Sequence, residues 1–215
     1  MPIAFLFPLF FYWSYILETI AYFLLHQKFK LLKINLKDPV QMILLTVSAI
    51  TFVIATFTCL PQMPLYFLLI SALWITIFTD LSHMLISRWV SLYLVPVGII
   101  ASLLKMTHIT LEESILSSMI AAGILILINK IFYFFKGHDG LGQGDIELLA
   151  CIASWLGLLG AWFTVMIGSS IGVISCLLYI IWKRKKIIIV PFGPFLALGA
   201  LIFMILYKEI INFFI

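Results

Sequence analysis

Long apolar runs separated by short polar loops follow one another along nearly the whole chain. Eight of them are read as candidate membrane spans: Ile3–Leu25, Val40–Thr58, Leu65–Thr79, Trp89–Met106, Ser114–Phe135, Asp145–Leu159, Trp162–Trp182 and Ile187–Tyr207. A helix that crosses a bilayer needs about 20 mostly apolar residues. The third and sixth runs are short by that measure, and each abuts an aspartate. Only Gly160 and Ala161 separate the sixth run from the seventh. One helix there would have roughly 40 residues, far beyond the usual span, so the pattern predicts a tight hairpin. The expectation is an all-α membrane protein, a polytopic bundle of about eight transmembrane helices, with residues 1–215 forming a single transmembrane domain.

Composition agrees with the pattern. Of the 215 residues, 64% are hydrophobic and 10% charged, against about 45–50% and about 25% in soluble domains. A globule of this size cannot hide so much apolar surface, so lipid is the expected partner of the outward faces. The net charge of +4 does not point to nucleic acid, because the bases lie in loops and not on a basic face. Cys59, Cys151 and Cys176 form no C-x-x-C pair and read as buried thiols. The amino terminus lacks a basic stretch and an A-x-A cleavage site, so the first run is read as a retained span.

Loop charges orient the bundle. Lys28, Lys30, Lys33 and Lys37 lie in the first loop, Arg88 in the third, Lys136 in the fifth, and Lys183, Arg184, Lys185 and Lys186 in the seventh. Of the alternate loops, only the fourth carries a base, Lys105, beside Glu112 and Glu113. The positive-inside rule puts the odd loops in the cytoplasm and both termini outside. Asp80 and Asp145 then share the cytoplasmic edge.

Charges inside spans are costly, which makes Glu18, Asp80, Lys130, Asp145 and Glu147 the residues to question first. Alone, Asp80 and Asp145 read equally well as interfacial carboxylates, or for Asp145 as a charge favoured at a helix amino terminus. As a pair they offer more. Two carboxylates in one low-dielectric site hold a proton between them, supplying an acid and a base at neutral pH. Aspartyl peptide hydrolysis needs that combination. Gly140, Gly142 and Gly144 precede Asp145; lacking Cβ atoms, they let a substrate strand approach the backbone, or simply make a flexible loop.

Three segments carry a specific resemblance. GLGQGDIELLACIASWLG, TDLSHMLISRW and VPFGPFLALGA resemble, in that order, the G-x-G-D segment, the first aspartate segment and the closing Pro-Phe-Gly-Pro helix of type IV prepilin peptidases. The resemblance implies that Asp80 and Asp145 are catalytic and that Gly142 and Gly144 are the motif glycines beside the substrate; a carboxylate pair activates water without a metal, so no metal or cofactor is expected. It implies pilin-like precursors as substrates, cut at the cytoplasmic face of the inner membrane just before a hydrophobic helix. The chain departs from the pattern at Glu147, where the family has Lys, and at Ile86–Ser87, where it has Ile-Pro. Long bacterial members also carry paired C-x-x-C motifs in the first cytoplasmic loop and methylate the new amino terminus. The loop here, His26–Pro39, has no cysteine, which puts methyl transfer in doubt. The presenilin branch fits less well, since Thr79 stands where it has Tyr, and Pro191-Phe192-Gly193 replaces its Pro-Ala-Leu.

Other constellations have simpler readings. Gly168, Ser170 and Gly172 spell a serine nucleophile elbow, but within an apolar span the glycines read as a helix-packing face. His83 and His138 with Asp139 read as solvated loop residues before a metal cluster. Asp139 is the one rival for the second carboxylate. Lys130 is placed to snorkel, and Glu18 to snorkel or bond within the bundle. The competing function is a transporter or channel using intramembrane carboxylates, which is expected to place them near the bilayer midplane. A structural subunit of a secretion assembly is the third.

Overall fold

A computed structural model describes residues 3–26, 39–58, 65–183 and 190–214, all of the regular structure being helical. The elements are α1 (Ile3–His26), α2 (Pro39–Thr58), α3 (Tyr66–His83), α4 (Leu94–Leu103), α5 (Leu111–Lys136), α6 (Gln143–Lys183) and α7 (Gly193–Phe214). Among the described residues, α3, α5 and α6 are long and apolar enough to cross a membrane. Met42–Thr58, Leu94–Leu103 and Gly193–Tyr207 are shorter apolar stretches. The lysines of the first loop, Cys59, Gln62 and Arg184–Lys186 lie outside the described residues.

Two boundaries differ from the hydropathy reading. Trp89–Met106 is apolar enough to suggest a span, but its helix is only ten residues long, about 15 Å. Turns occupy 88–93. At the other end Lys105 adopts φ 56°, and its N–H and that of Met106 return to the carbonyls of Ser102 and Ala101, a left-handed cap that stops the helix. The second difference is the hairpin. The break falls at Gly157, where φ is 74° and ψ −177°, a conformation essentially reserved for glycine.

Neighbour contacts show that the chain reverses there. The first half of α6 starts with Gly144 against Ile86 and ends with the Trp155 carbonyl 3.5 Å from the Tyr66 hydroxyl, so it runs opposite to α3. Beyond Gly157, Gly160 lies against Phe203, Gly199 against Thr164, and Gly168 against Phe195. That descending register makes the second half antiparallel to α7. A Cβ on Gly168 would come within 2.6 Å of the Phe195 carbonyl oxygen, so the glycine face is a backbone-to-backbone packing surface. The Ser170 hydroxyl is committed to the Met166 carbonyl one turn back.

α3 is the centre of the bundle, buried over most of its length, whereas α5 is mostly exposed. Three polar side chains in the core find partners on other helices. Trp74 Nε1 donates to Thr51 Oγ1 at 2.8 Å, Trp155 Nε1 to the Leu94 carbonyl at 3.1 Å, and Ser114 Oγ to the Ser154 carbonyl at 2.6 Å. Without water, each such group costs several kcal/mol if left unpaired. α5 begins with Thr110 Oγ1 accepting from the Glu113 N–H, a side-chain cap. It ends at Gly137 with φ 73°. Its outward face is large and apolar, with Leu116, Met119, Leu127, Phe134 and Phe135 all exposed. Only lipid solvates such a surface, and the protein is a membrane protein.

Candidate active site

Three segments distant in sequence meet at the end of the bundle where α3 finishes. Asp80 lies in the last turn of α3, which continues to His83, so the carboxylate is carried by a helix. Asp145 is the third residue of α6. Its N–H donates to the Gly142 carbonyl at 3.1 Å, fixing the turn that leads into the helix. Gly193 opens α7 so close to Asp80 that a Cβ there would lie 2.6 Å from Asp80 Oδ2. Ile86 is wedged between the glycines, 2.9 Å from a Cβ built on Gly144 and 2.8 Å from one on Gly193. The glycines are thus what let the three backbones converge.

Asp80 and Asp145 line one cleft of about 520 Å³, together with Ile86, Gly142, Glu147 and Pro191. Asp80 is buried and Asp145 half-buried. Asp80 Oδ2 has no hydrogen-bond partner among the described residues. A buried acceptor without a partner is expensive, and here it belongs to a residue of the cleft lining.

Gly142 and Gly144 lie in the cleft wall beside Asp145, and a Cβ on Gly142 would stand 3.2 Å from Asp145 Oδ2. Glu147, the departure noted in the sequence, pairs with Arg88 (Nε to Oε1, 3.5 Å) and accepts from Ser91 Oγ at 3.3 Å. It joins the turn after α3 to the first turns of α6, the two elements that carry the aspartates.

Asp139 is outside this cleft lining; its Oδ1 accepts from Asn129 Nδ2 at 3.1 Å. His83 belongs to the last turn of α3, not to a loop, and its Nε2 is buried without a partner among the described residues. His138 is exposed beside the Phe132 ring. Among the described residues no cluster of three His, Cys, Asp or Glu side chains has metal-binding geometry. Cys151 is a buried free thiol and Cys176 a half-buried one. Glu18 is buried with Oε2 unpartnered among the described residues, so it does not snorkel.

Sequence reasoning passed over two residues here. Gly193 was legible only as part of a motif, and Asn129 not at all. The signal for Asn129 is its type: a lone amide in the run ILILINKIFYFF is as conspicuous as the neighbouring Lys130.

A family model described as the type IV leader peptidase family matches residues 67–181, more than half of the chain and both aspartates. The chain belongs to the type IV leader peptidase family. Relatives include proteins named prepilin leader peptidase/N-methyltransferase. That of Legionella pneumophila is 34% identical over 67% of this chain and 51% of its own length. That of Dichelobacter nodosus is 32% identical over 57% and 42%, and that of Pectobacterium carotovorum subsp. carotovorum 29% over 74% and 58%. The chain thus spans about half the length of the leader peptidases it matches. No solved structure matches it.

Proposed function

We propose that the chain is an intramembrane aspartyl endopeptidase that removes the leader of type IV prepilin-like precursors at the cytoplasmic face of the inner membrane, with Asp80 and Asp145 as its catalytic pair. The observation that carries this is the single cleft onto which two carboxylates from different helices open, in a member of a leader peptidase family. The ionised carboxylate takes a proton from water as it attacks the scissile carbonyl carbon, and the protonated one donates to the carbonyl oxygen. No metal or cofactor enters this chemistry. Gly142 and Gly144 leave room beside Asp145 for an extended substrate backbone, and the substrate's apolar helix remains in lipid. One transmembrane domain of eight crossings, counting α6 as two about Gly157 and the whole segment 84–110, of which α4 is only a part, as one, with both termini outside, suits the loop charges.

The test is cleavage of a precursor in membranes. Asp80→Asn and Asp145→Asn should each insert normally and lose activity, since an amide neither takes a proton from water nor donates an acidic one. Asp139→Asn should stay active. Cleavage by Asp145→Asn, with Asp139→Asn dead, would show that the pair is misassigned. Intact processing in the double Asp80/Asp145 variant would favour a transport or structural role.

A further inference from the structure

We infer that Asn129 is a positioning residue for the peptidase reaction, a side-chain clamp from α5 that holds the glycine loop leading into Asp145. Asn129 Oδ1 accepts from two consecutive backbone donors, the Gly140 N–H at 2.8 Å and the Leu141 N–H at 3.0 Å. Its Nδ2 donates to Asp139 Oδ1 at 3.1 Å. One amide thus binds three successive residues of the loop. One turn further along α5, Phe132 packs on the same loop, with its ring 2.6 Å from a Cβ built on Gly140.

The loop needs such a clamp for a physical reason. It contains Gly140, Gly142 and Gly144, and glycine loses more conformational freedom on ordering than any other residue. Left alone, the segment would sample many backbone paths, few of which bring Gly142 to Asp145. The coupling is short: Leu141 is held by Asn129, Gly142 follows it, and the Gly142 carbonyl accepts the Asp145 N–H at 3.1 Å. Gly140, Leu141 and Gly142 also line the cleft, so the clamp shapes the wall that faces substrate. An amide is the side chain the site demands. Leu could not accept, and Asp could accept from the loop but not donate to Asp139, against which it would place a like charge.

This inference rests on the reading of Asp145 as a catalytic carboxylate. Its test is an exchange of the two side chains. Asn129→Asp should lower kcat for precursor cleavage about ten- to a hundredfold with KM little changed, the effect of misplacing a catalytic group by an ångström or less. Asp139→Asn alone should be near wild type. In the double variant N129D/D139N, the new carboxylate accepts from the loop N–H groups and the new amide donates back to it, so activity should return to within a fewfold of wild type. Asn129→Leu should be as poor as Asn129→Asp, and if it fails to insert, the exchanged pair still decides. Hydrogen exchange at the Gly140 and Leu141 amides should quicken in N129D and slow again in the double variant. An active Asp145→Asn with that exchange pattern intact would mean that the dyad assignment has failed while the clamp stands. A double variant no more active than N129D, or wild-type kcat in both N129D and N129L, would overturn the inference.

Discussion

Gly193→Ala tests whether the close approach of α7 to Asp80 serves catalysis. The added methyl group would lie 2.6 Å from Asp80 Oδ2 and 2.8 Å from Ile86 Cδ1, the first of these roughly 0.8 Å inside an ordinary van der Waals contact. Two outcomes relieve the overlap. Either the carboxylate and Ile86 swing away, or α7 moves outward as a whole. The second is resisted, because α7 packs by its backbone on the second half of α6, with Gly199 against Thr164 and Gly168 against Phe195. The carboxylate therefore moves, by a distance comparable with the overlap. A displacement of that size costs up to about a hundredfold in rate, and overpacking costs about 1–3 kcal/mol in stability. The control is Gly123→Ala in α5, where an added Cβ meets nothing within 4 Å; it should leave cleavage unchanged. Both variants are to be compared at matched membrane levels by initial rates of precursor cleavage and by thermal inactivation. Full kcat in Gly193→Ala, at wild-type stability, would falsify the claim that this glycine sets the position of Asp80.

Further outcomes can be checked with the same assays. Gly157→Ala should destabilise the protein by about 1–3 kcal/mol, since alanine strains at this backbone conformation and its Cβ would meet Glu113 Oε1 at 2.5 Å; an unchanged inactivation temperature would mean that the hairpin does not depend on that conformation. Glu147→Arg should reduce activity by setting a second cation beside Arg88, and R88E/E147R should recover most of it, with no recovery counting against a bridge between the two aspartate-bearing elements. Chelators should leave cleavage intact and the product should carry an unmodified amino terminus, as a structural zinc site needs about four Cys or His ligands; zinc-restored cleavage or a product heavier by one methyl group would reverse either half. Cysteine labelling at Gln143 should occur from the cytoplasmic side, and labelling from outside would invert the topology.

Hydropathy located α3, α5 and both arms of α6 because transfer into lipid depends on each residue's composition and very little on its neighbours in space. The same scale could not see where α4 stops, because Lys105 ends that helix through backbone angles and two carbonyl acceptors while the apolar run continues around it. It also put the break at Gly160 and Ala161, whereas the structure has it at Gly157. Gly157 and Gly160 are both glycines in an apolar stretch, and only the structure shows that Gly160 is helical while Gly157 takes the positive φ.

The candidate carboxylates were legible for a different reason. An aspartate in an apolar run is anomalous by itself, so Asp80 and Asp145 stand out without any knowledge of the fold. Glu18 stands out equally, yet it is buried away from the cleft lining. Which anomalous charges share a site depends on the faces that α3, α6 and α7 turn to one another, and on glycines that admit close backbones. Gly193 against Asp80, Ile86 between two glycines, Arg88 with Glu147 and Asn129 on the Gly140 loop are contacts between segments far apart in the chain. Sequence determined that the protein lives in lipid and which residues are costly there; only the tertiary packing decided which of them meet, because burial energy has no direction whereas hydrogen bonds and steric contacts do.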